Sequence, residues 1–384
     1  MTKIVMTNNI KRIGIDARFY GPLGKGLGRY TQEMVDNITK LDQINKYVIF
    51  LRKENFNEFG CDGVRVKKVL ADIKWYGFAE QIILPYYIWR ERIDLMHFPH
   101  FNVPVFCPVK FIVTIHDLIL IKFPTKRATT LGPVIYKIKN FIYKIVILSA
   151  VKRAKKILAV SQFTKDDLIK QFKLKPDKLV VTYEGVAELT NINAPVDVSA
   201  VLNKYIISRS YLLYVGNAYP HKNLEGLIKV FSEINKSKPE LKLVLVGKED
   251  YFYSRLKLSA NIYSTNIIFP GYVPDNELKV LYDTATLYIF PSFYEGFGLP
   301  PLEAMEHGLP VVSSNKTCLP EILGDAALYF NPEDEADMKN KIKLALADEK
   351  LREDLKNRGY LQAKKYNWQE CAEKTLEVYK NLLF

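Results

Sequence analysis

The sequence is poor in cysteine and histidine, with four of one and five of the other in 384 residues. None of the cysteines (Cys61, Cys107, Cys318, Cys371) stands at metal-ligand spacing from another, which excludes a zinc ribbon or a disulfide-framed scaffold. They read as buried thiols in a reducing compartment. No uncharged apolar run approaches the ~18 residues of a membrane-spanning helix. The opening residues, MTKIVMTNNIKRIG, carry charge where a secretory leader would need an apolar segment. These absences predict a cytoplasmic protein. Acidic residues are short in one half only: residues 1–190 hold 32 Lys and Arg against 17 Asp and Glu, residues 191–384 hold 23 against 25. The formal charge of +13 therefore divides as +15 and −2. This predicts a basic face on the first half, with nucleic acid and an anionic membrane surface as candidate partners.

What is present is a chain too long for one ordinary core, so two domains of roughly 180 to 200 residues are expected. Apolar runs alternate with helical stretches. Lys11–Ala17, Tyr47–Leu51, Val64–Val69, Asp94–His97, Phe111–Ile115, Ile157–Val160 and Leu179–Tyr183 read as strands of the first half, with a helix over Phe78–Trp89. Tyr211–Gly216, Leu243–Gly247, Ile267–Phe269 and Thr286–Phe290 continue the pattern. Such alternation predicts parallel sheets covered on both faces, with sites beyond the carboxyl ends of the strands. Asn191–Val201 is polar, contains Pro195 and lacks periodicity, which reads as a linker.

The stretch richest in chemistry is Pro291–Val312, PSFYEGFGLPPLEAMEHGLPVV. A strand ends at Pro291; Gly296 and Gly298 follow, then Pro300 and Pro301 and a helix-forming run, Leu302–His307. A strand, a glycine loop and a helix start turn backbone N–H groups toward an anion. Glu295 in the loop and Glu303 in the first helical turn flank the bend. Acids beside amide donors suit a ligand bearing both hydroxyls and phosphate, such as a nucleotide sugar. The plain alternative is a β–α connection whose glycines permit positive φ and whose Glu303 favours a helix start. Gly24, Gly26, Gly28 and Arg29 in PLGKGLGRY precede a helix over Tyr30–Leu41, again a phosphate-cradling order or simply a surface turn. His116 and Asp117 follow Phe111–Ile115 at a strand end. Gly216, Asn217, His221 and Lys222 lie between a strand and the helix Leu224–Ile234. Pro133–Lys156 reads as a basic amphipathic helix, with Lys122, Lys126 and Arg127 upstream, suited to anionic lipid or else to a core with a solvated lysine face.

EGFGLPPLEA resembles the E-x7-E motif of the retaining glycosyltransferases of family four, which have the GT-B fold. YVGNAYPHKNLEGL resembles their donor-phosphate loop, GKGLGRY their G-x-G-R-Y loop, TIHDL the stretch bearing a histidine of the reaction centre, and GYVPDNEL the loop that holds the base. The likeness runs along nearly the whole chain. It implies an α/β architecture of two Rossmann-like parallel-sheet domains facing across a cleft. An acceptor domain would span 1–190, a linker 191–204, a nucleotide-sugar domain 205–366, and a terminal helix, 367–384, would cross back to the first.

The resemblance also implies hexose transfer with retention of configuration to a glycan or lipid-linked acceptor, with no cofactor. No D-x-D pair stands in a placed loop, so no metal is expected. Lys222 would grip the β-phosphate, Glu295 orient the sugar and His116 line the reaction centre; these three are the catalytic candidates. Donor contacts would come from Gly216, Asn217, His221, Gly247, Tyr272, Val273, Gly296, Phe297, Gly298, Leu299 and Glu303, the last on the ribose hydroxyls. Gly26, Gly28 and Arg29 would face the acceptor and the phosphates, and His97 would shape the acceptor pocket. Asn217 departs from the Arg that many members carry, with His221 (partly charged near neutrality) or Arg29 as substitutes. Closeness to bacterial mannosyltransferases of polysaccharide and lipopolysaccharide assembly points to GDP-mannose, with UDP-sugars as the alternative. Residues 122–156 would touch the inner face of the cell membrane, and no nucleic acid is expected. A reading of another class is a basic membrane- or RNA-binding scaffold, for which Glu295 and Glu303 would be dispensable and binding steeply salt-dependent.

Overall fold

The computed structural model describes residues 10–60, 63–123, 133–186, 196–208, 210–260 and 262–384. They form two compact units. The first gathers the described residues up to Leu118, residues 133–185 and the terminal segment Trp368–Phe384; the second holds residues 119–123 and the described part of Val186–Asn367.

The first unit is built on seven parallel strands: β1 (Arg12–Asp16), β2 (Lys46–Leu51), β3 (Val66–Leu70), β4 (Leu95–Phe98), β5 (Phe111–Ile115), β6 (Lys156–Ala159) and β7 (Leu179–Val181). Their order, β3-β2-β1-β4-β5-β6-β7, reverses between β1 and β4. FIVTI in β5 is buried throughout, as a central strand covered on both faces must be. Helix Lys25–Leu41 buries Tyr30, Met34, Val35 and Ile38 against the sheet and the terminal helix Trp368–Leu383, which contributes Cys371, Ala372, Leu376 and Tyr379. The opposite sheet face receives Leu84 and Ile88 from helix Glu80–Arg90, and Val146, Ile147, Ala150 and Val151 from helix Pro133–Arg153. The second of these helices is not amphipathic in the expected sense. Its outward side carries Phe141, Ile142 and Ile145 as well as Lys144, because apolar residues recur around the whole circumference. Lys126 and Arg127 lie outside the described residues.

The second unit has six parallel strands: β8 (Tyr211–Val215), β9 (Lys242–Val246), β10 (Ile267–Gly271), β11 (Leu287–Phe290), β12 (Val311–Ser314) and β13 (Ala327–Phe330), in the order β10-β9-β8-β11-β12-β13. Helix Leu224–Asn235 covers it with Leu227, Ile228, Phe231 and Ile234. Part of the expected linker is helical. Val198–Lys204 forms a short helix because the Asp197 side chain accepts from Ser199 N and Ala200 N; residues 187–195 lie outside the described ones. No helix among the described residues is long and apolar enough to cross a membrane.

Candidate functional site

The second sheet reverses its order between β8 and β11, so the loops leaving these neighbours diverge at their carboxyl ends, where open α/β sheets bind ligands. Lys222 closes the short turn Pro220–Lys222 after β8, and its Nζ lies 2.6 Å from Oε1 of Glu295 in the loop after β11. Phe293 N donates to the His221 carbonyl at 2.8 Å, tying the two loops together. Both charged side chains are largely enclosed, 13% and 9% exposed, so neither is an ordinary surface pair.

Gly298, at φ +99°, begins the helix Leu299–Glu306, a conformation that a Cβ would strain while also meeting Leu319 at 2.9 Å. The helix starts three residues before the expected Leu302. Proline suits a first turn, where its missing N–H has no partner to lose. Pro300 and Pro301 offer no donor, so the amides at this mouth are those of Gly298 and Leu299. Glu303 accordingly sits in the second turn rather than the first. It is buried, and the Tyr282 hydroxyl donates to its Oε2 at 3.2 Å. The turn after β12 supports the loop from beneath: Glu295 N donates to Thr317 Oγ1 at 3.1 Å, and Cys318 Sγ donates to the Glu295 and Phe297 carbonyls at 3.3 and 3.2 Å. Sequence reasoning assigned Thr317 and Cys318 no role at the site; a Thr-Cys pair between a strand and a helix was the available signal.

On the β8 side, Gly247 must lack a side chain, since a Cβ there would lie 2.1 Å from the Gly216 carbonyl oxygen. Asn217 acts as a turn former: its Oδ1 accepts from Tyr219 N at 3.3 Å and its carbonyl from the Tyr214 hydroxyl at 2.8 Å. His221 does not supply the second cation expected of it. Burial, together with the neighbouring Lys222, pushes its pKa down to about 4, so it is neutral at physiological pH. Tyr272 is exposed and Val273 buried just past β10.

In the first unit the helix after β1 begins at Lys25 rather than Tyr30, placing Gly26 and Gly28 in its first turn and Arg29 just beyond. Its N-cap, Gly24, provides no side-chain acceptor, so the leading amides are not capped that way. His116, past the end of β5, sets Nε2 3.0 Å from the Pro99 carbonyl and Nδ1 2.9 Å from Glu184 Oε1. A carbonyl only accepts, so Nε2 carries a proton, and the carboxylate draws a second onto Nδ1. Burial opposes the charge, but Glu184 outweighs it and raises the pKa, which favours the imidazolium. Glu184 was not foreseen. His97 is no pocket residue. Its Nδ1 lies 2.6 Å from the Tyr379 hydroxyl and its Nε2 2.9 Å from Thr114 Oγ1, which meets Tyr30 at 3.1 Å. Burial pushes it down to about 3, so it is a neutral link between sheet and terminal helix.

The model of "Glycosyltransferase Family 4" matches residues 24–188 and that of "Glycosyl transferases group 1" matches residues 207–362. The O-antigen chain mannosyltransferase B of Escherichia coli is 37% identical over 235 residues, 60% of this chain and 61% of the relative, so the chain spans less than two thirds of that protein. The O-antigen chain mannosyltransferase RfbU of Salmonella typhimurium is 26% identical over 84% of this chain and 88% of its own length. Among solved structures, a sucrose-phosphate synthase from Thermosynechococcus elongatus superimposes with a TM-score of 0.75 at 18% identity, covering 97% of this chain and 99% of that one.

Proposed function

The chain belongs to the glycosyltransferases that join a family 4 half to a group 1 half, and from that premise we propose that it transfers mannose from GDP-mannose to a growing cell-envelope polysaccharide. The names of the two mannosyltransferase relatives support the sugar and the setting. The acceptor on this reading is a lipid-linked glycan at the inner face of the membrane. The observation that carries the proposal is the Lys222–Glu295 contact at the reversal of the second sheet, beside the Gly298 and Leu299 amides.

Cleaving the bond between the anomeric carbon and the β-phosphate oxygen leaves positive charge on the sugar and negative charge on the diphosphate. Lys222 and the two amides stabilise the departing oxygens. A phosphate drawn to Lys222 frees Glu295 to accept from sugar hydroxyls, while Glu303 holds the ribose. The acceptor oxygen joins the face that the phosphate leaves, and the leaving phosphate takes the acceptor proton, so configuration is retained. Trapping a sugar ester on Glu295 would replace this route with a double displacement. In the first unit, His116, whose pKa Glu184 raises, is the residue assigned to the reaction centre.

The test is release of nucleoside diphosphate from a panel of donors, beside a thermal-shift screen with GDP, UDP and ADP. Turnover of GDP-mannose with GDP as the strongest stabiliser is expected. Selectivity for UDP would move the donor to UDP-sugars, and no turnover of any donor would leave the basic scaffold.

A further inference from the structure

The loops at the carboxyl end of the first sheet carry a cluster of rings that the chemistry above leaves unused. Phe19, after β1, stacks on Trp75, after β3, with ring centroids 4.3 Å apart. It also meets His100, after β4, at 5.5 Å, and His100 packs on Phe101 at 3.9 Å. Phe101 meets Tyr143 of helix Pro133–Arg153 edge-on at 4.8 Å. Tyr76 closes the group, standing across His100 at 6.1 Å and 79°. Rings gathered in this way are commonly plain core, and Phe19 and Phe101 are buried accordingly.

The outer part of the cluster is not built like core. Tyr76 is 63% exposed although its backbone lies at φ +61°, a conformation that a bulky residue adopts only under constraint. Glu80 supplies the constraint, its Oε2 accepting from Tyr76 N at 3.0 Å, so a strained backbone is held in place to present a ring to solvent. His100 Nδ1 and Trp75 Nε1 are enclosed and have no hydrogen-bond partner among the described residues. His100 Nε2 and the Tyr143 hydroxyl also lack one there, but both are open to solvent. Burial above all, then the nearby His116, pushes His100 well below its ordinary pKa, so the ring is neutral at physiological pH. The charges of these loops are paired within the chain, Arg18 with Asp16 and Glu80, and His116 with Glu184.

We propose that these loops form a subsite for an uncharged pyranose ring, stacked on Tyr76 with its hydroxyls on His100 Nε2 and the Tyr143 oxygen. A pyranose turns a face of C–H groups to an aromatic ring and a rim of hydroxyls to polar atoms. A hydroxyl both donates and accepts, so it satisfies Nε2 in either tautomer. A phosphate oxygen only accepts, and the buried cation Arg18 is already paired. An isoprenoid chain would leave both polar atoms unmet. The inference rests on the transferase reading only in naming the ring, as the sugar at the growing end of the acceptor. Tyr76 and His100 would then select that sugar.

Full-length protein is titrated calorimetrically with α-mannotriose and with chitotriose, without nucleotide. Binding of at least one is expected. Tyr76→Gly removes the ring but suits the positive φ, so it should fold like the parent by circular dichroism and bind about tenfold more weakly. Tyr76→Phe should bind like the parent, and His100→Ala about fivefold more weakly. In turnover with a mannosyl acceptor, Tyr76→Gly should raise KM for that acceptor by the same factor while KM for GDP-mannose holds. If neither trisaccharide binds, or if Tyr76→Gly binds as the parent does, the inference fails even where turnover is intact. It fails too if farnesyl phosphate or guanosine binds the parent and is lost in Tyr76→Gly, which would give the cluster to a lipid or a base. A parent that binds sugar through Tyr76 yet turns over no nucleotide sugar would strike the transferase reading alone.

Discussion

Both sheets reverse their strand order once, and the two resulting crevices are filled in opposite ways. Beside β1 and β4, Arg18 is wholly buried and grips Asp16 through two bonds of 2.7 Å, while also pairing with Glu80. Glu80 accepts further from Asn102 Nδ2 at 2.8 and 2.7 Å and from Tyr76 N at 3.0 Å. The loops after β1, β3 and β4 are thereby locked to one guanidinium, and each charge is answered from within. Beside β8 and β11 the charges are one ammonium and one carboxylate, neither of them fully buried, next to the amides of a glycine bend. Topology creates the crevice in both units. Chemistry decides whether it becomes a rivet or a receptor.

The largest expected effect tests the rivet. Arg18→Ala strands Asp16 and Glu80 in the interior and should cost about 3–5 kcal/mol, read as a fall in the urea midpoint; an unmoved midpoint would erase the contrast. Lys222→Ala should instead act on turnover, lowering kcat by roughly 10²–10³ as a preorganised contact to the leaving group is lost. A variant that melts early yet turns over normally would make the two crevices alike. Glu303→Gln should weaken binding of the nucleoside diphosphate by about 1.5–3 kcal/mol in a calorimetric titration, with kcat little changed. The smallest effect concerns pH. The folded-state pKa of His116 is raised, so its stabilising pairing with Glu184 is complete below the ordinary histidine value of 6.5 and fades as pH climbs through the raised one. The stability gap between the parent and Glu184→Gln, followed by denaturant titration, should narrow over that rise; a gap constant with pH would detach the pair from the charge of His116.

Much of the frame was readable because strand identity here depends on local composition. KYVIFL and LYIF are β-branched and aromatic runs bounded by polar or turn residues, and periodicity needs no partner to be seen. Lys222 and Glu295 were readable as motif positions. Their mutual contact spans 73 residues and was not. Glu184, Thr317 and the pairing of Arg18 with Glu80 escaped for the same reason, since the partners lie on other strands or loops. The expected helix starts fall late where glycine or proline reads as preceding loop but occupies the first turn, as at Gly26 and Pro300. Val198–Lys204 was lost because seven residues hold too little periodicity to register. Which side of Glu80–Arg90 and Pro133–Arg153 faces outward was not legible, because hydrophobicity alone does not say which side a sheet will cover.

The terminal helix carries a consequence for biosynthesis. Its Trp368, Cys371, Leu376 and Tyr379 complete a core otherwise drawn from residues before Gly185. During translation, then, the half that leaves the ribosome first must wait, its core incomplete, until the helix Trp368–Leu383 has been made. The later half can close earlier, so the order of manufacture and the order of completion run in opposite directions.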